Sequence, residues 1–81
     1  ITENGIAAKD DAKRVRFLID HLKEIHHAIK AGVDVRGYFH WSLLDNFEWE
    51  KGFEPKFGLV SVDFKTFKRK IKISGKVYAQ I

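Results

Sequence analysis

The sequence predicts an α/β chain, and three observations predict it. The chain opens with Ile1-Thr2-Glu3-Asn4-Gly5, an apolar-to-polar run that reads as the carboxyl end of a buried parallel strand. Residues 10–31 carry apolar side chains at three- and four-residue steps, the period of an amphipathic helix. Residues 33–43 are rich in β-branched and aromatic residues, the composition of a second strand. A strand end, a long helix and another strand make up most of a βαβ unit, whose crossover is right-handed.

The first strand is represented only by Ile1 and Thr2. The sequence thus reads as cut through an element, and it contains no methionine with which an intact gene product would start. A piece of a longer protein is the expectation. The predicted helix has its apolar stripe in Val15, Leu18, Ile19, Leu22, Ile25 and Ile29. Asp10 or Asp11 can cap its first turn, and Gly32 can stop it, with Lys30 facing the negative end of the helix dipole. His21, His26 and His27 lie on or beside this helix. A helical metal pair needs histidines four apart on one face, whereas His26 and His27 diverge by about 100°. The sequence implies no metal and no cofactor.

In residues 33–43 large side chains fall on both faces, as expected for a parallel strand covered on both sides. Residues 50–56 read as a loop containing Gly52 and the only proline, Pro55. Residues 57–64 read as a strand, with Val60, Val62 and Phe64 alternating against Leu59, Ser61 and Asp63. Lys65-Thr66 turns it back into residues 67–71 as a small hairpin. Residues 74–81 form a short final helix with Val77 and Ile81 one turn apart. There is no internal repeat and no low-complexity linker, so residues 1–81 are read as one unit.

Composition narrows the function classes. A chain of 81 residues buries a modest share of its surface, roughly 60–65% by size scaling, and with no cysteine it has no disulfide to compensate. No stretch is long and apolar enough to span a membrane, and no signal-peptide pattern is present. The absence of cysteine together with many Lys and Glu points to a cytoplasmic protein and a thermophilic source. The net charge of +4 is concentrated in Lys65-Thr66-Phe67-Lys68-Arg69-Lys70-Ile71-Lys72. Basic residues beside aromatics can grip a phosphate backbone, but a short basic run commonly keeps a sheet edge from aggregating. The latter is our reading, and no nucleic-acid partner is inferred.

The chemistry lies in Trp41-Ser42-Leu43-Leu44-Asp45-Asn46-Phe47-Glu48-Trp49. Two indoles bracket Asp45, Asn46 and Glu48 just past a strand end. Indoles stack on the apolar faces of sugars, while carboxylates and amides chelate neighbouring hydroxyls. Nothing cationic lies inside the run, which suits a pyranose better than a phosphate. Taken alone, the same residues are also accounted for by packing tryptophans and a solvated Glu48. The βαβ frame tips the balance. Glu3 ends one strand and residues 41–49 follow the next, so both lie at the carboxyl edge where barrel active sites form. A carboxylate beside a sugar-binding wall is the arrangement of a glycoside hydrolase.

These segments resemble the family 1 glycoside hydrolases, the β-glucosidases and β-glycosidases. Ile1-Thr2-Glu3-Asn4-Gly5 resembles that family's nucleophile motif, and residues 41–49 resemble its sugar-binding motif. Phe57-Gly58-Leu59-Val60-Ser61-Val62-Asp63-Phe64 resembles the strand that follows. Lys68-Arg69 and Lys72-Ile73-Ser74 resemble its closing basic and Lys-x-Ser signature. The resemblance covers essentially the whole chain in order, and is closest to archaeal β-glycosidases.

The resemblance implies a TIM (β/α)8 barrel of which this chain is the last quarter: the end of strand 7, helix 7, strand 8, a small hairpin and helix 8. It implies that Glu3 is the nucleophile of a retaining β-glycosidase acting on β-glucosides or β-galactosides. It implies further that Trp41 hydrogen-bonds the sugar, Glu48 binds its hydroxyls, Trp49 forms a stacking wall and Phe57 lines the entrance to that subsite. A cis peptide between Trp41 and Ser42 is also expected. The chain departs from the pattern in one decisive respect. The family's acid/base comes from an Asn-Glu-Pro motif, and the only Glu-Pro here, Glu54-Pro55, follows Phe53. His40 and Arg36 are not counterparts of the family's site-orienting histidine and arginine. Ile71 stands where the family usually has proline, which puts the start of the last helix in question. The expected partners are a β-linked sugar and the remainder of the barrel, on the same or another chain. The isolated chain is expected to be inactive, and its exposed barrel edges offer a route to self-association.

Overall fold

The structure, a computed structural model, describes residues 3–46, 52 and 55–81. Its elements in chain order are helix α1 (Asp11–Lys30), strand β1 (Val60–Val62), strand β2 (Arg69–Ile71) and helix α2 (Ile73–Gln80).

Helix α1 forms as its local signals dictate. Asp10 is extended, and its side chain accepts from the Ala12 amide at 3.0 Å, a side-chain N-cap. At the other end Gly32 has φ of +96°, a conformation that costs glycine no steric clash. The Val33 amide reaches back to the Ala28 carbonyl and the Gly32 amide to the Ile29 carbonyl, both at 3.0 Å. This pair is the Schellman arrangement, which satisfies two of the carbonyls a helix end leaves open. Of the apolar stripe, Leu18 is fully buried, whereas Ile19 and Ile29 remain exposed. Helix α2 packs against α1, and its start lies one residue before the expected position.

The two strands pair antiparallel, Val60 opposite Ile71, Ser61 opposite Lys70 and Val62 opposite Arg69. The hairpin is shorter than the sequence predicts. The Phe57 carbonyl accepts from the Ser42 amide at 3.1 Å, and the Leu59 amide donates to the Ser42 carbonyl at 2.9 Å. Residues 57–59 thus lie alongside the preceding segment, the Leu59 carbonyl also accepts from the Lys72 amide at 2.8 Å, and the ladder with β2 is confined to Val60–Val62. The turn is correspondingly longer than Lys65-Thr66. It is closed by the Asp63 amide donating to the Lys68 carbonyl at 2.9 Å, with Phe67 at φ of 60°.

Residues 33–43 do not form the continuous strand that their composition suggests. Among the described residues they make one parallel bridge, His40 with Asn4, followed by a second between Leu44 and Val60. A strand exists through its ladder. On one side only the short segment around Asn4 lies alongside, and on the other side pairing starts at Ser42. The bridge nevertheless confirms the parallel adjacency of the Glu3 segment and the segment leading to Trp41. Among the described residues, no helix is long and apolar enough to cross a membrane.

Candidate functional site

The segment of Glu3 meets Trp41 through the backbone of Asn4 and Gly5. The Trp41 amide donates to the Asn4 carbonyl at 2.9 Å, directly beyond the Asn4–His40 bridge. Gly5 makes this approach possible. A Cβ at residue 5 would stand 1.9 Å from the Trp41 carbonyl oxygen, so no larger residue fits without separating the two segments. Asn4 is fixed further by Tyr38, whose hydroxyl donates to its Oδ1 at 2.8 Å. Burial, with Tyr78 beside it, pushes the Tyr38 phenol up, which keeps it a hydrogen-bond donor. Glu3 and Trp41 are both exposed at this edge. The peptide between Trp41 and Ser42 is cis.

Phe57 lies on the next segment, half-buried, joined to Ser42 through the bond described above. The structure thus brings Glu3, Trp41 and Phe57 onto three backbone segments linked edge to edge. Glu48 and Trp49, the other two sugar-binding candidates, lie outside the described residues.

The remaining polar members of the tryptophan cluster are turned inward, a correction to the sequence reading. Asp45 is only 5% exposed. Its Oδ1 accepts from the Gly58 amide at 2.9 Å and from the Lys72 Nζ at 3.0 Å. A Cβ on Gly58 would stand 2.3 Å from the Asp45 amide nitrogen, so this contact too requires glycine. The Asn46 side-chain amide donates to the Leu44 carbonyl at 3.0 Å and to the Ser42 hydroxyl at 3.2 Å. Composition suggested that Asp45 and Asn46 chelate sugar hydroxyls. Their hydrogen-bonding capacity is instead spent on Gly58, Lys72, Leu44 and Ser42.

A second polar network was not visible as such in the sequence. Arg14 is completely buried in α1. Its guanidinium donates to the Asp11 carboxylate at 2.7 Å, to the Ala8 carbonyl at 2.5 Å and to the Lys56 carbonyl. Asp11 in turn accepts from the amide and hydroxyl of Ser74, at 2.8 and 2.7 Å, at the start of α2. This answers the question raised by Ile71. The N-cap residue Lys72 makes no side-chain cap bond, and a carboxylate from α1 supplies it instead. Burial by itself would raise the Asp11 carboxyl, but the Ser74 hydroxyl, the Ser74 amide and Arg14 together hold it below its ordinary value. One signal was available. Arg14 stands four residues before Leu18, in phase with the apolar stripe and three after Asp11, which marks an ion pair on the packing face.

His40 sits behind the Asn4 bridge. Its ring nitrogens are buried without a hydrogen bond of good geometry. Burial pushes its pKa down, the charge of Arg14 adds to that effect and the Phe57 backbone opposes it, so the ring is neutral near pH 7.

A family model described as "Glycosyl hydrolase family 1" matches residues 1–81. A beta-galactosidase of Saccharolobus solfataricus is 48% identical over 81 residues, covering 100% of this chain and 17% of that protein. The solved beta-glycosidase from Pyrococcus horikoshii superposes with a TM-score of 0.98 at 58% identity, over 100% of this chain and 19% of that one. The beta-glucosidase from Thermotoga maritima, solved in complex with glucoimidazole, gives a TM-score of 0.96 at 45% identity, over 99% and 20%. The chain spans about a fifth of the length of the relatives it matches, and its fold is a part of theirs. With the whole chain inside the family pattern, and its backbone superposing on β-glycosidases at this identity, it belongs to glycosyl hydrolase family 1, a family of glycoside hydrolases.

Proposed function

We propose that this chain is the last quarter of the (β/α)8 barrel of a retaining β-glycosidase, carrying the nucleophile and part of the subsite for the terminal sugar. In (β/α)8 terms it comprises the end of strand 7, helix 7, strand 8, the hairpin and helix 8. The observation that carries the reading is the Asn4–Trp41 junction. It supports the reading because the segment of an exposed residue, Glu3, runs parallel to the segment that leads to an exposed tryptophan, Trp41.

Glu3 attacks the anomeric carbon of a terminal β-glucoside or β-galactoside, and the aglycone leaves. A covalent glycosyl-enzyme forms, and water then cleaves it with overall retention. Trp41, Glu48, Trp49 and Phe57 hold the sugar meanwhile. Protonation of the leaving oxygen needs a second carboxylic acid roughly 5–5.5 Å from the first. No match to the family's acid/base motif occurs in this sequence, so that group comes from the rest of the barrel, and the isolated chain is inactive.

Assays on an aryl β-glucoside test this. In the enzyme carrying this segment, Glu3→Ala lowers kcat by at least about a thousandfold, and added formate or azide restores part of it. Unimpaired turnover by that variant removes Glu3 from its role. Turnover by the isolated 81 residues overturns the claim that they lack a complete site.

A second reading has its own observation. Phe39, Leu43, Ile71, Ile73 and Ile81 are exposed apolar side chains. In the whole barrel such faces are covered by neighbouring elements; in the isolated chain they favour self-association or binding to a complementary fragment. Sedimentation of the 81-residue chain decides: a monomer at high concentration rules this out.

A further inference from the structure

The segment that bears Glu48 and Trp49 ends at Pro55 and Lys56, and that end is gripped by α1. Arg14 donates to the Lys56 carbonyl and to the Ala8 carbonyl, and the Ala8 amide itself donates to the Lys56 carbonyl at 2.9 Å. Ala8 belongs to the segment that leaves the strand end of Glu3, and Lys56 immediately precedes Phe57. One guanidinium thus joins the segment of the proposed nucleophile to the segment of the proposed sugar wall. Its geometry suits arginine alone. The planar fork reaches two carbonyls and a carboxylate at once, which a lysine ammonium on a flexible stem does not reproduce. The Asp11 carboxylate fixes the guanidinium from the other side, and is itself fixed by α2.

We propose that Arg14 is a positioning residue for the sugar subsite: it sets Lys56, and with it Phe57, at a defined distance from the Glu3 segment without touching substrate. This rests on the glycosidase reading above. A merely structural arginine would stabilise the fold and leave sugar affinity alone, so the two roles differ in what they change.

The test uses the enzyme carrying this segment, well below its unfolding midpoint. Arg14→Gln and Arg14→Lys are compared with Leu18→Ala, which opens a cavity at an equally buried position of the same helix but removes no polar contact. Four quantities are read: KM and kcat on an aryl β-glucoside, the Kd for glucoimidazole, and hydrogen exchange at the Ala8 amide. Arg14→Gln should raise KM and Kd roughly tenfold or more and speed exchange at Ala8. Arg14→Lys should fall between it and the wild type. Leu18→Ala should lower the thermal midpoint and leave KM, Kd and Ala8 exchange unchanged. Wild-type KM and Kd in Arg14→Gln overturn the proposal, as does an equal rise in Leu18→Ala. If Arg14→Gln does not fold, the same criteria apply to Arg14→Lys. A wild-type enzyme that neither binds glucoimidazole nor turns over overturns the glycosidase reading instead, and Ala8 exchange still reports whether Arg14 ties the two segments.

Discussion

The two ends of residues 46–55 are held by different means. At the leading end an internal carboxylate, Asp45, draws in the Gly58 amide and the Lys72 ammonium. At the trailing end an external cation, Arg14, reaches across from α1 to the Lys56 carbonyl. The first anchor is an ion pair between side chains with little exposure on either partner. The second is a charge shared among backbone carbonyls and one carboxylate that is itself bound to α2. The leading anchor therefore joins Asp45 to Gly58 and Lys72, and the trailing anchor ties Lys56 to the helical layer. Polar groups near the proposed site divide accordingly. Glu3 stays exposed, while Asp45, Asp11 and Arg14 are spent on internal hydrogen bonds.

The largest effect follows from breaking the leading anchor. Asp45→Ala leaves the Lys72 ammonium half-buried without its partner and the Gly58 amide without an acceptor. A loss of about 3–5 kcal/mol in unfolding free energy is expected, since removing one partner of a buried pair leaves an uncompensated charge. Adding Lys72→Met should return part of it, because the stranded charge goes too. Urea unfolding of the purified variants checks this. An Asp45→Ala loss under about 1 kcal/mol, the range of exposed pairs, would mean that the pair is effectively solvated.

The clasp between the helices gives a smaller and pH-dependent effect. Asp11→Asn keeps an acceptor for Ser74 but loses the charge facing Arg14. About 1.5–3 kcal/mol is at stake for hydrogen bonds to a charged group. The folded pKa of Asp11 lies below the ordinary 3.8. Its stabilisation is therefore complete above that value and is lost as the pH falls through the lower folded pKa. The gap between wild type and Asp11→Asn should be widest at neutral pH and should close below about pH 4. A gap that persists unchanged into acid would show that charge on Asp11 contributes nothing.

The same contrast explains what could be read from the sequence. Helix α1 was legible almost to the residue because its determinants are local: a period, an aspartate before it and a glycine after it. The parallel adjacency of the Glu3 and Trp41 segments was legible too, because a strand, a helix and a strand have one common arrangement. The extent of the strand in residues 33–43 was not, since it depends on which neighbours supply a ladder. Asp45 was misjudged because composition gives the chemistry of a cluster but not which of its members turn inward. Of the acceptors of Arg14 only Asp11, three residues before it, is marked in the sequence; the other two, on Ala8 and Lys56, are backbone carbonyls, which a sequence does not mark.

The smallest effect comes from a position that belongs to neither anchor and so calibrates both. Gly32 ends α1 at φ of +96°, and a Cβ added there meets nothing within 4 Å. The cost of Gly32→Ala is then torsional alone, about 1 kcal/mol, because alanine is forced into a left-handed conformation with no clash to relieve. The Schellman bonds from Gly32 and Val33 lie at the end of the helix away from Asp11 and Arg14, so both anchors stay intact. Gly32→Ala should lower the urea midpoint slightly and leave KM and the glucoimidazole Kd at wild-type values. If it raised either as Arg14→Gln is expected to, a general loosening of α1 would suffice to move the sugar subsite, and the specific hold of Arg14 on Lys56 would no longer be needed to explain it.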